Sequence, residues 1–204
     1  MRLAVPCSSA ILSEARLYAI ESNTHTMDYE GWKDQHNKLR RLTYGKFAQL
    51  WVYEFCRVNG IRCEKDKSGP TEPDNKDLVI CGLDVDVKAS TIGALVGQIS
   101  PGMYNKSDGF YCFARTNETC SFILPIGFLH CSLFIPNSIE VRQGETIPHT
   151  TIVQRFRSSR FLSKGAPVVP FFEFMADAKA GEIEKHIPLP RVEASDLDWS
   201  EIPF

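Results

Sequence analysis

This chain lacks three things, and each absence narrows its function. No apolar run approaches the ~20 residues that a bilayer-spanning helix needs, so no membrane protein is expected. The opening stretch MRLAVPCSSAILSEARLYAI meets Glu14 and Arg16 too early for the apolar core of an export leader. The seven cysteines are odd in number and include no Cys-x-x-Cys pair. Most stand in or beside apolar runs, where a thiol acts as a small hydrophobe, which suits a reducing compartment better than a disulfide framework. The spacing of Cys112, Cys120, His130 and Cys131 matches no common zinc pattern. The expectation is one soluble, cytoplasmic globular domain with added segments.

The chain also has little net charge, formally −2, so nothing global favours a polyanionic partner. The charge is segregated, however. Residues 33–67 hold nine Lys or Arg against four Asp or Glu, and residues 173–204 hold eight acidic against three basic groups. QRFRSSRFLSKG (154–165) has four basic groups, no acid and two interleaved Phe. The neutral total conceals a basic surface and an acidic end.

Apolar spacing predicts a helix over 8–22, with Ile11, Leu12, Ala15, Tyr18 and Ala19 along one side. A longer helix is predicted from about 37 to 59, carrying Leu39, Leu42, Phe47, Leu50, Trp51, Phe55 and Val58, with Gly60 as its stop. IRCEK then reads as a short strand and DKSGPTEPDNK as a loop. DLVI, LDVDVKAS, GFYCFART and CSFILPIGFLHCSLFIPN read as strands or buried apolar segments. A helix followed by several strands implies an α/β or α+β domain with a mixed sheet.

The informative stretch is KDLVICGLDVDVKAS, residues 76–90. With Cys81-Gly82 as a two-residue turn, paired residue numbers sum to 163, and Asp77 falls opposite Asp86. Alternation then puts Asp84, Asp86 and Lys88 on one face, and Leu78, Ile80, Leu83, Val85 and Val87 on the other. Like charges directly opposed across strands are destabilising, and one Lys88 does not balance three Asp. A hard divalent cation such as Mg²⁺ would offset the surplus. The alternative is a solvated strand face, on which charged residues commonly alternate.

Asp77, a short strand, a turn and then Asp86-Val87-Lys88 resemble the core signature of the PD-(D/E)xK nuclease superfamily. The preceding GKFAQLWVYEFCRVNGIRCEK is similar to that family's first core helix and the strand after it. The likeness spans about residues 40–115. GFYCFARTNETCSFILPIGFLHCSLFIPNSI further resembles the strands after the motif in small phage nucleases, favouring a phage or mobile-element origin and a host-cytoplasm location. The resemblance implies a restriction-endonuclease-like mixed β-sheet flanked by helices. It implies that Asp77, Asp86 and the Val87 carbonyl hold Mg²⁺ or Mn²⁺, with Lys88 assisting the attacking water. Read literally, the family's Pro-Asp would be Pro73-Asp74, but Asp77 is preferred because it directly precedes the strand and faces Asp86. Where the family places a helix Glu, this chain has Gln49, and Glu54, the acidic alternative, lies five residues further on.

A nucleic-acid substrate needs basic phosphate contacts. The candidates are Lys38, Arg40, Arg41 and Lys46, then Arg155, Arg157, Arg160 and Lys164, with Gln98 as a further family-like position. The ending SDLDWSEIPF resembles the acidic Ile-Pro-Phe terminus of bacterial single-stranded-DNA-binding proteins. Asp196, Asp198, Ile202, Pro203 and Phe204 would then engage host DNA-repair proteins. The expected layout is an N-terminal helical extension (1–36), a nuclease-like core with added strands (37–172) and an acidic tail (173–204). The expected activity is a metal-dependent DNA endonuclease, with a homodimer suited to cutting both strands. The alternative is a weakly catalytic, nuclease-fold DNA-binding or decoy module.

Overall fold

The computed structural model describes residue 6 and residues 8–23, 35–65, 77–91, 99, 108–147 and 159–188. Helices α1 (Ser8–Asn23) and α2 (Gln35–Val58) pack together along the apolar spacings. Ile11, Ala15 and Ala19 of α1 are buried, as are Phe47, Ala48, Leu50, Trp51, Val52, Phe55 and Cys56 of α2. Val58, expected on the same side, is exposed in the last turn. Gly60 has φ 67°, a conformation open to glycine. Its N–H donates to Arg57 O (3.2 Å) and that of Ile61 to Cys56 O (2.9 Å). These two bonds make a Schellman cap, which satisfies carbonyls the helix leaves open.

Among the described residues eight strands follow: β1 (Cys63–Lys65), β2 (Leu78–Ile80), β3 (Leu83–Thr91), β4 (Phe110–Thr116), β5 (Ile123–His130), β6 (Ser138–Val141), β7 (Ser159–Leu162) and β8 (Val169–Pro170). Six form a mixed sheet in the order β1-β2-β3-β4-β5-β8, and β6-β7 is a separate pair. Within the large sheet only β3 and β4 run parallel. With the three α-helices of the described residues this is a mixed α+β fold. The β2–β3 hairpin has the expected register, with Ile80 opposite Leu83, Val79 opposite Asp84 and Leu78 opposite Val85. Its turn uses positive φ at both Cys81 (51°) and Gly82 (93°), the twist that suits a two-residue hairpin.

The sheet has two differently covered faces. Leu78, Ile80, Val85, Val87, Phe110, Cys112, Ala114 and Phe128 form one core with the helices. Tyr111, Phe113 and Leu129 form a smaller one with Ile99, Cys131 and Phe134. Helix α3 (Phe171–Ala180) closes the larger core through aromatic packing. Phe174 stacks on Phe128 at 3.9 Å between centroids and meets Phe110 edge-on at 5.0 Å. Phe171 contacts Phe55 at 5.0 Å and Trp51 at 5.7 Å.

The expected layout shifts at both ends. Ile11 and Ala15 lie in the shared core, so α1 is part of the domain rather than an appendage. Phe174, Met175, Ala178 and Ile183 are buried, so residues 173–183 belong to the fold and not to a tail. The acidic residues there sit on an amphipathic segment whose apolar side is hidden. The six described cysteines are free thiols. Among the described residues no helix is long and apolar enough to cross a membrane.

Phe174→Ala should lower stability by about 3–5 kcal/mol, the usual range for emptying a buried aromatic site. Leu17→Ala, at a position 64% exposed, should change it by no more than about 0.5 kcal/mol. Urea titration of both variants checks the pair.

Candidate metal centre on the hairpin

The hairpin and α2 bring Gln49, Asp77, Asp86, Val87 and Lys88 into one neighbourhood. Asp77 stands one residue beyond the last ladder pair. Its N–H donates to Val85 O at 3.1 Å, and its Oδ2 accepts from the Val87 N–H at 2.6 Å. The two bonds bracket Asp86, which is 5% exposed. The carboxyl of Asp77 is thus turned onto the main chain beside Asp86. Lys88 Nζ lies 2.6 Å from Asp86 Oδ1. From α2, Gln49 Nε2 donates to the Asp77 carbonyl at 2.8 Å, tying the helix to the start of the hairpin.

The electrostatics record a surplus of negative charge. Burial, then the neighbouring Asp86, raises the Asp77 carboxyl from 3.8 to about 7, against the opposing effects of Lys88 and the Val87 N–H. Two carboxylates share one ammonium in a desolvated place, and the shift belongs to the pair. The donors suit a hard divalent cation, which takes oxygen ligands. Among the described residues no group of three or more His, Cys, Asp or Glu is placed to hold a metal. A cation held here would have the Gln49 amide oxygen, the Val87 carbonyl and water as candidate neutral ligands. Mg²⁺ commonly binds this way, through one or two carboxylates and substrate phosphates.

Other expected residues are placed elsewhere. Glu54 pairs with Arg57 at 2.7 Å and does not join Asp77. It lies five positions from Gln49, about 140° around the helix. Asp84 stands exposed on the Asp86 face. Asp74, Gln98, Arg155, Arg157, Asp196, Asp198, Ile202, Pro203 and Phe204 lie outside the described residues.

Four of the expected basic residues have contacts or cover within the protein. Lys38 is 2% exposed. Arg40 bonds Tyr44 Oη at 2.9 Å and Glu118 at 3.0 Å. Lys46 lies 3.9 Å above the Tyr18 ring. Arg160 bonds Ser138 Oγ at 2.9 Å and approaches Glu140 at 3.5 Å, fastening β6 to β7. Arg41 and Lys164 are exposed.

Sequence reasoning missed the neighbours that β4 supplies. Tyr111 is the register partner of Asp86. It is buried, and that burial pushes its hydroxyl well above the usual tyrosine range. The alternation in FYCFART puts Tyr111, Phe113 and Arg115 on one face, but only the parallel pairing reveals which face of β3 they join. The chain matches no protein-family model, no curated protein and no solved structure.

The raised Asp77 value sets the sign of a pH effect. Between about pH 4 and pH 7 the folded state binds more protons than the unfolded state, so stability falls as pH rises through this window. Asp77→Asn should flatten that slope. A divalent cation held by Asp77 would raise the thermal midpoint most above pH 7, where the carboxylate is free. Thermal unfolding from pH 5 to 8, with Mg²⁺ and with chelator, checks both.

Proposed function

We propose that this protein is a divalent-metal-dependent DNA endonuclease of the PD-(D/E)xK kind, built on a restriction-endonuclease-like sheet. One observation carries the reading: Asp77 and Asp86 are crowded together in a desolvated place, with Lys88 at 2.6 Å from Asp86. Such a cluster is costly for folding alone and useful where a cation and a phosphate arrive together. Further support comes from the helix, hairpin and parallel-strand order around it. The acidic segment that carries Asp196, Asp198, Ile202, Pro203 and Phe204 fits the same reading as a docking element for host repair proteins.

Bound Mg²⁺ or Mn²⁺ would supply polarisation of the phosphoryl oxygen and a more acidic water. Asp77 and Asp86 would hold it, with the Gln49 amide and Val87 carbonyl as neutral partners. The Val87 N–H fixes the Asp77 carboxyl and the Gln49 amide fixes its main chain, so the first ligand is oriented from two sides. Lys88, tethered to Asp86, presents its remaining N–H donors where negative charge builds on the phosphate.

A second reading has its own observation. Gln49 occupies the helix position with a neutral amide already donating to Asp77. A site with one carboxylate fewer would bind metal weakly, as in a DNA-binding or decoy module that has lost robust cleavage.

The test is cleavage of single-stranded, duplex and branched DNA with Mg²⁺, with Mn²⁺ and with chelator. Metal-dependent cutting is expected, reduced at least about 100-fold in Asp86→Ala and Lys88→Ala. DNA binding by a wild type that never cuts would favour the second reading.

A further inference from the structure

The strand face that carries Asp86 and Lys88 continues into a second polar pair. Along β3 the side chains of Asp86, Lys88 and Ser90 share one face. Parallel β4 sets Tyr111, Phe113 and Arg115 beside them, residue for residue. Tyr111 and Phe113 are covered by the smaller apolar core. Ser90 and Arg115 are half-buried beyond it, and Leu124, the partner of Arg115 on β5, is 51% exposed.

Among the described residues, Ser90 Oγ and Arg115 Nε are both shielded from solvent and neither has a hydrogen-bond partner. Three other described arginines are ion-paired: Arg40 with Glu118, Arg57 with Glu54 and Arg160 with Glu140. A buried donor without an acceptor carries its full desolvation cost, and native proteins hold few such groups. The two are register neighbours, so one acceptor could satisfy both.

The chemistry of that ligand follows from the donors. A guanidinium only donates, in a planar fork that matches the oxygens of an oxyanion, and the serine hydroxyl can add a further bond. Ser90 lies two strand residues beyond Lys88, about 7 Å at the usual rise. This is comparable to the separation of neighbouring phosphates along one nucleic-acid strand. We propose that Ser90 and Arg115 form a phosphate-binding subsite for the phosphodiester adjacent to the one held at Asp77, Asp86 and Lys88. The inference deepens the nuclease reading and rests on it for the substrate class. Arg115 and Ser90 act here as positioning residues that hold the strand in line with the reacting phosphate.

The test is binding of a fluorescein-labelled single-stranded oligonucleotide by the full chain, in chelator and again in Ca²⁺, over a series of salt concentrations. Arg115→Gln should weaken binding about tenfold and reduce the salt slope by about one. Arg115→Lys should keep the slope, and Ser90→Ala should weaken binding about threefold. Arg115→Met, which removes the unpaired donor, should raise the thermal midpoint by a few degrees while losing affinity. The proposal is overturned if folded Arg115→Gln binds within twofold of wild type with an unchanged slope. It is equally overturned if the variant loses thermal stability but not affinity, or if the wild type fails to bind in both buffers. Failure of the nuclease reading looks different: Arg115-dependent binding by a wild type that never cuts. The converse is a wild type that cuts and an Arg115→Gln variant that matches it in KM and salt slope, which keeps the nuclease and removes the subsite.

Discussion

Everything polar about the candidate site depends on a turn two residues long. Cys81 and Gly82, both at positive φ, leave no slack between β2 and β3, so the pairing is held at one register. Side chains alternate with a period of two. A slip of one residue would drive Asp84, Asp86 and Lys88 under the helices and push Val85 and Val87 out. A non-glycine residue in the left-handed region is uncommon, yet Cys81 occupies it here. The benefit is a sheet whose apolar and charged faces cannot exchange.

The unequal cover of those faces explains where charge is tolerated. The helices and the Phe128–Phe174 stack seal one side. Among the described residues, the other carries the smaller patch around Tyr111, Phe113 and Phe134. Asp86 lies against the edge of that patch, buried enough to feel a low dielectric and near enough to Lys88 for partial neutralisation. The Gln49–Asp77 bond couples the two sides, because a residue of the helix layer holds the backbone from which the first carboxylate projects.

What could be read from the sequence was local. The Gly60 stop, the apolar side of α2 and the hairpin register each depend on a few consecutive residues and on rules of backbone geometry. The apolar face Leu78, Ile80, Val85 and Val87 followed from alternation alone. Contacts between distant segments stayed hidden. That β4 lies parallel to β3, and so brings Arg115 beside Ser90, is carried by no local pattern. The pairing of Arg40 with Glu118 joins residues far apart in sequence, so the basic cluster looked freer than it is. Helix α3 was obscured by composition: counting acids over 173–204 averaged away the apolar stripe of Phe174, Met175 and Ala178.

The outer strands of the large sheet are short, three residues in β1 and two in β8. β1 carries Glu64 and Lys65, and β8 ends in Pro170, which has no N–H to offer. Brief, charged or proline-bearing margins are poor templates for another strand. Sheet-to-sheet joining of two copies is thereby discouraged, and the protein is guarded against growing into a fibre from its own rim. Among the described residues, the rim of the large sheet is thus a poorer place for self-association than side-chain surfaces.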